Sequence, residues 1–271
     1  MLQTLKQRYR YSAIILKQLV VTDFKLRYKG SVLGYLWTLL RPLALFAVLY
    51  VVFVSFLRFG DDIPHYPVYL LLGVVLWSYF VEVTVNGVTS IVGKGDLMRK
   101  LAFPRYVVVI AGSVSALINL AINLLVVVAF VLINGVDLTW NIVWLPLIIF
   151  ELFVLALGMS FLLSALYVRF RDINYVWEVL MQAGFYLTPI LYPLSMVKQF
   201  SEFAGKFLLL NPMAQIIQDA RYALVTPRTD TVYTVFAGSA YWLIPFALVA
   251  LVAGASAVYF RRKSPSFAED I

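Results

Sequence analysis

The 271-residue sequence has no cysteine, one histidine and few charged side chains. Without cysteine, the chain can form no disulfide bond and no thiolate metal site. The lone His65 argues against a zinc site built from histidines. A GxxxxGKS or GxxxxGKT phosphate loop is also missing, so the chain carries no recognisable ATP site. We therefore expect no metal, nucleotide or other cofactor on this chain.

Charged side chains make up only 13% of the chain, and hydrophobic ones make up 62%. A soluble domain has about 25% charged residues, so the composition is that of a membrane protein. A helix crosses the hydrocarbon layer with about 20 apolar residues. Six stretches reach this length and are predicted to be transmembrane spans: 30–57, 67–92, 106–133, 138–168, 173–197 and 235–260.

Lysine and arginine concentrate on one side of these predicted spans. Sixteen lie before the first span, in 93–105, in the turn after the fourth span and in the C-terminal tail, against five in the other connections. Because cytoplasmic loops are rich in Lys and Arg, both termini are predicted to be cytoplasmic. This bias also accounts for the net charge of +8, so no nucleic-acid partner is needed to explain it.

Two cytoplasmic segments are predicted to be helical without spanning the membrane. Residues 1–29 place apolar positions at helical spacing beside basic ones, a pattern typical of an amphipathic helix in the membrane interface. Residues 93–105, GKGDLMRKLAFPR, can form a short helix that Asp96 caps and that ends before Pro104.

On the other side, residues 198–230 are predicted to form two external re-entrant half-helices before the last span. Asn211 and Pro212 suit the N-cap and first turn of the second one. Residues 1–271 are therefore interpreted as a single domain, an all-α membrane protein.

Five motifs follow one another along the chain: YKGSVLGYLWTLLRPL (28–43), LMRKLAFPR (97–105), RFRDI (169–173), YLTPILYP (186–193) and LNPMAQIIQDARYAL (210–224). Together they resemble the membrane subunit of bacterial ABC exporters for polysaccharides, O-antigen and teichoic acids, the Wzm, KpsM and TagG-like permeases. The resemblance covers nearly the whole chain. It implies a multi-pass protein of the bacterial cytoplasmic membrane with six transmembrane helices.

The resemblance also implies a set of partners. A second copy of the chain would complete a homodimer, and two copies of a cytoplasmic ABC ATPase would bind ATP and Mg²⁺. The cargo would be a glycan or teichoic acid polymer on an undecaprenyl-type lipid carrier, taken from the surrounding membrane lipid. On this interpretation the chain forms the channel and is not itself an enzyme.

Three groups of residues are predicted to carry this function. The apolar face of the short cytoplasmic helix needs a partner to cover it, which predicts an ATPase-coupling group: Asp96, Leu97, Met98, Arg99, Lys100 and Leu101. A substrate entrance is predicted from basic residues before and within the first span: Lys25, Arg27 and Lys29 would attract the carrier's pyrophosphate, and Arg41 would receive it. Since the family forms its pore from spans one and five, the resemblance implies channel-lining aromatic residues: Phe46, Tyr50, Phe53, Tyr175, Phe185 and Tyr186.

Arg41 also has a simpler interpretation. A tilted first span would let its side chain reach the inner headgroups and pair with Glu178. Pro42, which follows it, removes one backbone hydrogen bond and predicts a bend in the span.

Other functions stay open at this point. A type-2 ABC exporter of a small hydrophobic drug or lipid is the alternative within transport. A membrane glycosyltransferase or lipid phosphatase would need clustered acids, and none occur on the predicted spans. An ion-coupled transporter could use the intramembrane carboxylates of Glu82, Glu151 and Glu178. Of these, Glu151 lies deepest and is predicted to be buried between helices with a hydrogen-bond partner.

Overall fold

The computed structural model describes residues 2–27, 30–57, 63–95 and 103–267. Within this part of the chain the regular structure is helical and contains no β-strand. The first six helices are α1 Leu2–Arg27, α2 Leu36–Leu49, α3 Tyr66–Thr89, α4 Tyr106–Ile133, α5 Leu145–Arg169 and α6 Ile173–Leu187. The remaining helices are α7 Leu194–Phe200, α8 Glu202–Leu209, α9 Pro212–Leu224, α10 Val232–Val235 and α11 Ile244–Lys263.

Several of these helices continue beyond their α-helical part. α2 runs on as a π-helix over Tyr50–Phe56, and 3₁₀ turns at Trp140–Trp144 and Ala240–Leu243 precede α5 and α11. Counting these extensions, five helical segments are long and apolar enough to cross a membrane: Leu36–Phe56, Tyr66–Thr89, Tyr106–Ile133, Trp140–Arg169 and Ala240–Ser266. The prediction of several membrane-spanning helices is therefore confirmed for the described residues.

The predicted span 173–197 differs from the others, because it is not one helix. α6 ends at Leu187 after 15 residues, and Thr188 takes an extended backbone conformation. Pro189 disfavours the helical conformation for the residue before it and lacks an N–H of its own. The chain becomes helical again only at Leu194, after Pro193. The six-span count therefore stays a prediction.

α3 lies at the centre of the molecule and contacts α2, α4, α5, α6 and α9. In the most apolar 18-residue stretch of α3, 78% of the residues are buried. In the corresponding stretch of Leu36–Phe56, only 11% are buried. A helix that is apolar on all sides is expected to be surrounded by protein or lipid. Most of the surface of α2 is therefore exposed.

α2 contains Pro42 and begins later than the predicted first span. It stays helical through Pro42, whose side chain is buried, and the irregular part is the π-helix that begins at Tyr50. It begins at Leu36, later than the predicted start of the span at residue 30. Arg41 therefore lies about 8 Å along the helix from its first residue, at 1.5 Å per residue.

Candidate functional site

The predicted coupling residues, Asp96 to Leu101, lie outside the described part of the chain. The residues on either side of them are well anchored. Ile91 is fully buried, and Phe103 packs against the same small cluster, which also includes Phe260 and Phe267. Just before the segment, Lys94 forms an ion pair with Asp23 of α1 at 2.9 Å.

The predicted entrance residues are described only in part. Lys25 is exposed near the end of α1, and Arg41 is exposed on α2. Lys29 and the side chain of Arg27 lie outside the described part. The predicted pairing of Arg41 with Glu178 is not present; Glu178 instead accepts a hydrogen bond from Asn174 Nδ2 at 2.8 Å.

The six predicted channel residues fall into two groups. Phe46 is only 7% exposed and packs edge-on against Phe130 of α4, with ring centroids 5.6 Å apart. Phe185 contacts Trp77 of α3 at 6.2 Å, and Tyr50 and Phe53 also pack against the core. Tyr175 and Tyr186 are 70% and 66% exposed, so they are the two that project clearly from the subunit.

α9 carries a feature that its sequence pattern did not predict. The apolar positions of this helix are buried as expected, but Gln215, Gln218 and Asp219 on the opposite face are buried too. The reason is that α9 is enclosed by α3, α5 and α11. The region before the last span thus contains three short helices, α7, α8 and α9, of which α9 lies inside the protein. That residues 198–230 form external re-entrant half-helices stays a prediction.

The side chain of Arg221 on α9 is fully buried and donates four hydrogen bonds. Its Nε donates to the carbonyl of Tyr69 at 3.0 Å, and its Nη2 donates to that of Ile190 at 2.8 Å. Its Nη1 donates to the Pro189 carbonyl at 2.6 Å and to Gln218 Oε1 at 3.0 Å. The guanidinium lies 3.5 Å from the centroid of the Tyr69 ring.

No carboxylate neutralises this buried guanidinium among the described residues. Carbonyl dipoles and the ring face of Tyr69 take that role instead. Tyr69 also donates from its hydroxyl to Gln218 Oε1 at 3.1 Å, which orients the amide that Arg221 contacts. The result is a polar junction between α3, α9 and the break after α6.

A second buried group lies on another face of α9. Gln215 Nε2 donates to Asp219 Oδ2 at 2.7 Å and, with a longer bond of 3.4 Å, to Glu151 Oε2 of α5. The hydrogen-bond partner predicted for Glu151 is therefore present, whereas the residue itself is only partly buried. Burial raises the pKa of Asp219 to about 6, and the hydrogen bond from Gln215 opposes that rise. α9 lies outside the five long apolar segments.

With this geometry established, comparison with known proteins gives a consistent result. Residues 15–225 match the family described as ABC-2 type transporter. The chain is 30% identical over 217 residues to the O-antigen export system permease protein RfbA of Myxococcus xanthus, covering 80% of this chain and 82% of that protein.

Two further relatives extend the comparison. An RfbA of the same description from Klebsiella pneumoniae is 31% identical over 217 residues, covering 79% of this chain and 82% of that protein. The polysialic acid transport protein KpsM of Escherichia coli is 24% identical over 220 residues, covering 80% and 83%. The resemblance seen in the five motifs is therefore confirmed.

Proposed function

The chain belongs to the ABC-2 type transporter family, and from this premise we propose that it is the transmembrane subunit of an ATP-driven polysaccharide exporter. The observation that carries the proposal is the similarity, over about four fifths of each chain, to permeases named for O-antigen export and polysialic acid transport. Five long apolar segments agree with a multi-pass protein of the cytoplasmic membrane.

The finer parts of the proposal concern the assembly. The chain acts as a homodimer, with both termini in the cytoplasm, and α6 completes a sixth passage through the membrane together with the extended residues after it. Each copy binds one cytoplasmic ATPase, which holds ATP and Mg²⁺. The cargo is a polysaccharide or teichoic acid polymer on a polyprenyl-type lipid carrier.

The exposure pattern supports a second copy. On α6 nearly every residue except Trp177 is at least partly exposed, including Val179 at 64% and Leu187 at 65%. The same helix carries the polar residues Glu178 and Gln182 on its exposed surface. A helix with both kinds of side chain is better suited to a conduit between two subunits than to lipid alone.

Deletion of the gene tests the function directly. We expect surface polysaccharide to disappear and lipid-linked polymer to accumulate on the cytoplasmic side, as measured by gel analysis of fractionated cells. We also expect an ABC ATPase to copurify with the tagged permease. Normal surface polymer in the deletion strain, with no ATPase in the purified sample, would reject the proposal.

The coupling segment has its own test. Leu101→Asp puts a charge on the predicted apolar contact with the ATPase, so we expect it to abolish permease-stimulated ATP turnover while the permease still accumulates in the membrane. Pro227→Asp, in an exposed loop elsewhere on the chain, is the control and should leave turnover unchanged. Unaltered turnover in Leu101→Asp would contradict the docking role.

A further inference from the structure

The two ends of α6 differ in how the protein holds them. In its second half, Gly184 lies so close to α3 that a Cβ atom there would be 2.9 Å from Cη2 of Trp77. The neighbouring Phe185 ring contacts the same tryptophan at 6.2 Å. A larger side chain here would force the Trp77 ring or the helix to shift, so this part of α6 lies closely against α3.

The chain at the other end of α6 is much more exposed. Within the helix, Trp177 is the one buried residue, and its ring contacts Phe80 at a centroid distance of 6.5 Å. The residues just before the helix, 169–172, are all exposed, whereas Thr188 to Ile190, just after it, are all buried. An end that joins an exposed turn is freer to move than one that joins a buried segment.

The junction around Arg221 fixes the chain immediately after the tightly packed half. Its bonds to the carbonyls of Pro189 and Ile190 hold the residues that follow α6, and its bond to Tyr69 holds α3. If the end of α6 moved away from α3, the guanidinium would lose hydrogen bonds inside the protein, where water cannot replace them. Such a loss is costly for a buried charged group.

Gly73 of α3 is part of the same arrangement. A Cβ atom at this position would lie 2.6 Å from Nη2 of Arg221, which is closer than van der Waals contact allows. The guanidinium can reach the carbonyls beyond α6 only because this position has no side chain. The arrangement thus depends on a specific pair of residues from two different helices.

We propose that Arg221 is a positioning residue that fixes the C-terminal end of α6, so that α6 changes its place during transport only at its N-terminal end. This inference rests on the proposed function, in which α6 carries Tyr175 and Tyr186 along the conduit. α6 then pivots about the Arg221 junction, and the conduit opens when the Ile173 end of the helix moves.

The chain has no native cysteine, so pairs of spin labels can be introduced at two engineered cysteines. One pair, Leu187→Cys with Leu147→Cys, joins the end of α6 to α5; the other, Val176→Cys with Thr89→Cys, joins its beginning to α3. All four positions are exposed. Pulsed electron spin resonance on the permease in lipid nanodiscs should give a narrow distance distribution for the first pair and a broader one for the second.

Variants of the junction provide the second arm. Arg221→Lys loses the forked hydrogen bonding, and Gly73→Ala displaces the guanidinium, so both should broaden the Leu187–Leu147 distribution. Gly112→Ala in α4 is the matched control, because a Cβ atom there meets nothing within 4 Å. If Arg221 only stabilised the fold, these variants would lower the protein yield without selectively broadening the Leu187–Leu147 distribution.

In the complex with its ATPase, trapping ATP should shift the Val176–Thr89 distance and leave Leu187–Leu147 unchanged. A shift of the Leu187–Leu147 pair as large as that of the other pair would overturn the inference, and so would equal widths in the permease alone. If the junction variants do not accumulate in the membrane, the inference is tested by the Leu187–Leu147 and Val176–Thr89 distributions measured without any junction substitution. Failure of the proposed function would appear separately, as the absence of a copurifying ATPase.

Discussion

Lys94 donates hydrogen bonds from its Nζ to both carboxylate oxygens of Asp23, each 2.9 Å long. The pair joins α1 to the turn that follows α3, immediately before the predicted coupling segment. Both side chains are about a quarter exposed, at 27% and 28%. An ion pair of this kind contributes at most about 1 kcal/mol to stability, so its importance lies in where it holds α1.

The Asp23–Lys94 pair can be tested by exchanging its charges. Asp23→Lys alone should reduce ATP turnover stimulated by the permease, because two cations then face each other and α1 separates from the turn. The double variant Asp23→Lys with Lys94→Asp should recover most of that turnover. Thermal unfolding should change little in the double variant, and a double variant no more active than Asp23→Lys would contradict this role.

Substitutions at the neighbouring residues Tyr186 and Phe185 can distinguish a role in the conduit from a role in packing. Tyr186→Ala removes an exposed ring, so we expect slower polymer export with an unchanged amount of permease in the membrane. Phe185→Ala removes a ring that packs on Trp77, so we expect the free energy of unfolding to fall by about 1 kcal/mol or more. Export is measured as surface polymer per permease, and equal effects of the two variants on export would count against the conduit.

The buried carboxyl group of Asp219 should make the stability of the folded protein depend on pH. Its pKa rises from 3.8 to about 6 in the folded protein because the carboxyl group is buried. The folded state therefore holds the proton more tightly than the unfolded chain, and stability falls as the pH rises from about 4 to about 6. Asp219→Asn keeps an oxygen that can accept the bond from Gln215 but no longer titrates.

The measurement is thermal unfolding in nanodiscs across this pH range. The Asp219→Asn variant should be more stable than the unmodified chain above pH 6 and should lose part of the slope between pH 4 and 6. Glu202→Gln is a suitable control, since Glu202 lies exposed on α8 in an ion pair with Lys206. An identical slope in Asp219→Asn and the unmodified chain would show that this carboxyl group is not responsible.

The long apolar helices were predictable because membrane spans depend mainly on length and composition, and five of the six predicted spans match long apolar segments. The interruption of 173–197 was harder to see. The YLTPILYP motif carries no charged residue, so hydropathy alone does not reveal a break. Pro189 and Pro193 carry the local signal, since each removes a backbone donor and restricts the residue before it.

The burial of α9 could not be read from its sequence. Apolar residues on one face and Gln215, Gln218 and Asp219 on the other form the ordinary pattern of a surface helix. Its polar face is buried because residues far away in sequence, including Tyr69 and Glu151, supply the hydrogen bonds. A lone arginine such as Arg221 gives no sign that its partners are backbone carbonyls, which every sequence provides.

Arg41 gives the last prediction. It lies exposed on α2, about 8 Å from the beginning of the helix, and no acidic side chain among the described residues pairs with it. A cation at this depth is close enough to the interface to meet a lipid headgroup, and a guanidinium binds phosphate oxygens through two parallel hydrogen bonds. This position suits the proposed reception of the carrier's pyrophosphate.

Arg41→Gln keeps a polar side chain but removes the charge, so we expect export to fall and lipid-linked substrate to stimulate ATP turnover less. Arg41→Lys retains the charge without the forked geometry. Its export and its stimulation of ATP turnover should lie between those of Arg41→Gln and those of the unmodified chain. Stimulation is measured as the ratio of turnover with and without substrate in nanodiscs. Retained stimulation and export in Arg41→Gln would reject the entrance role, whereas loss of the folded permease would identify Arg41 as a residue that stabilises α2.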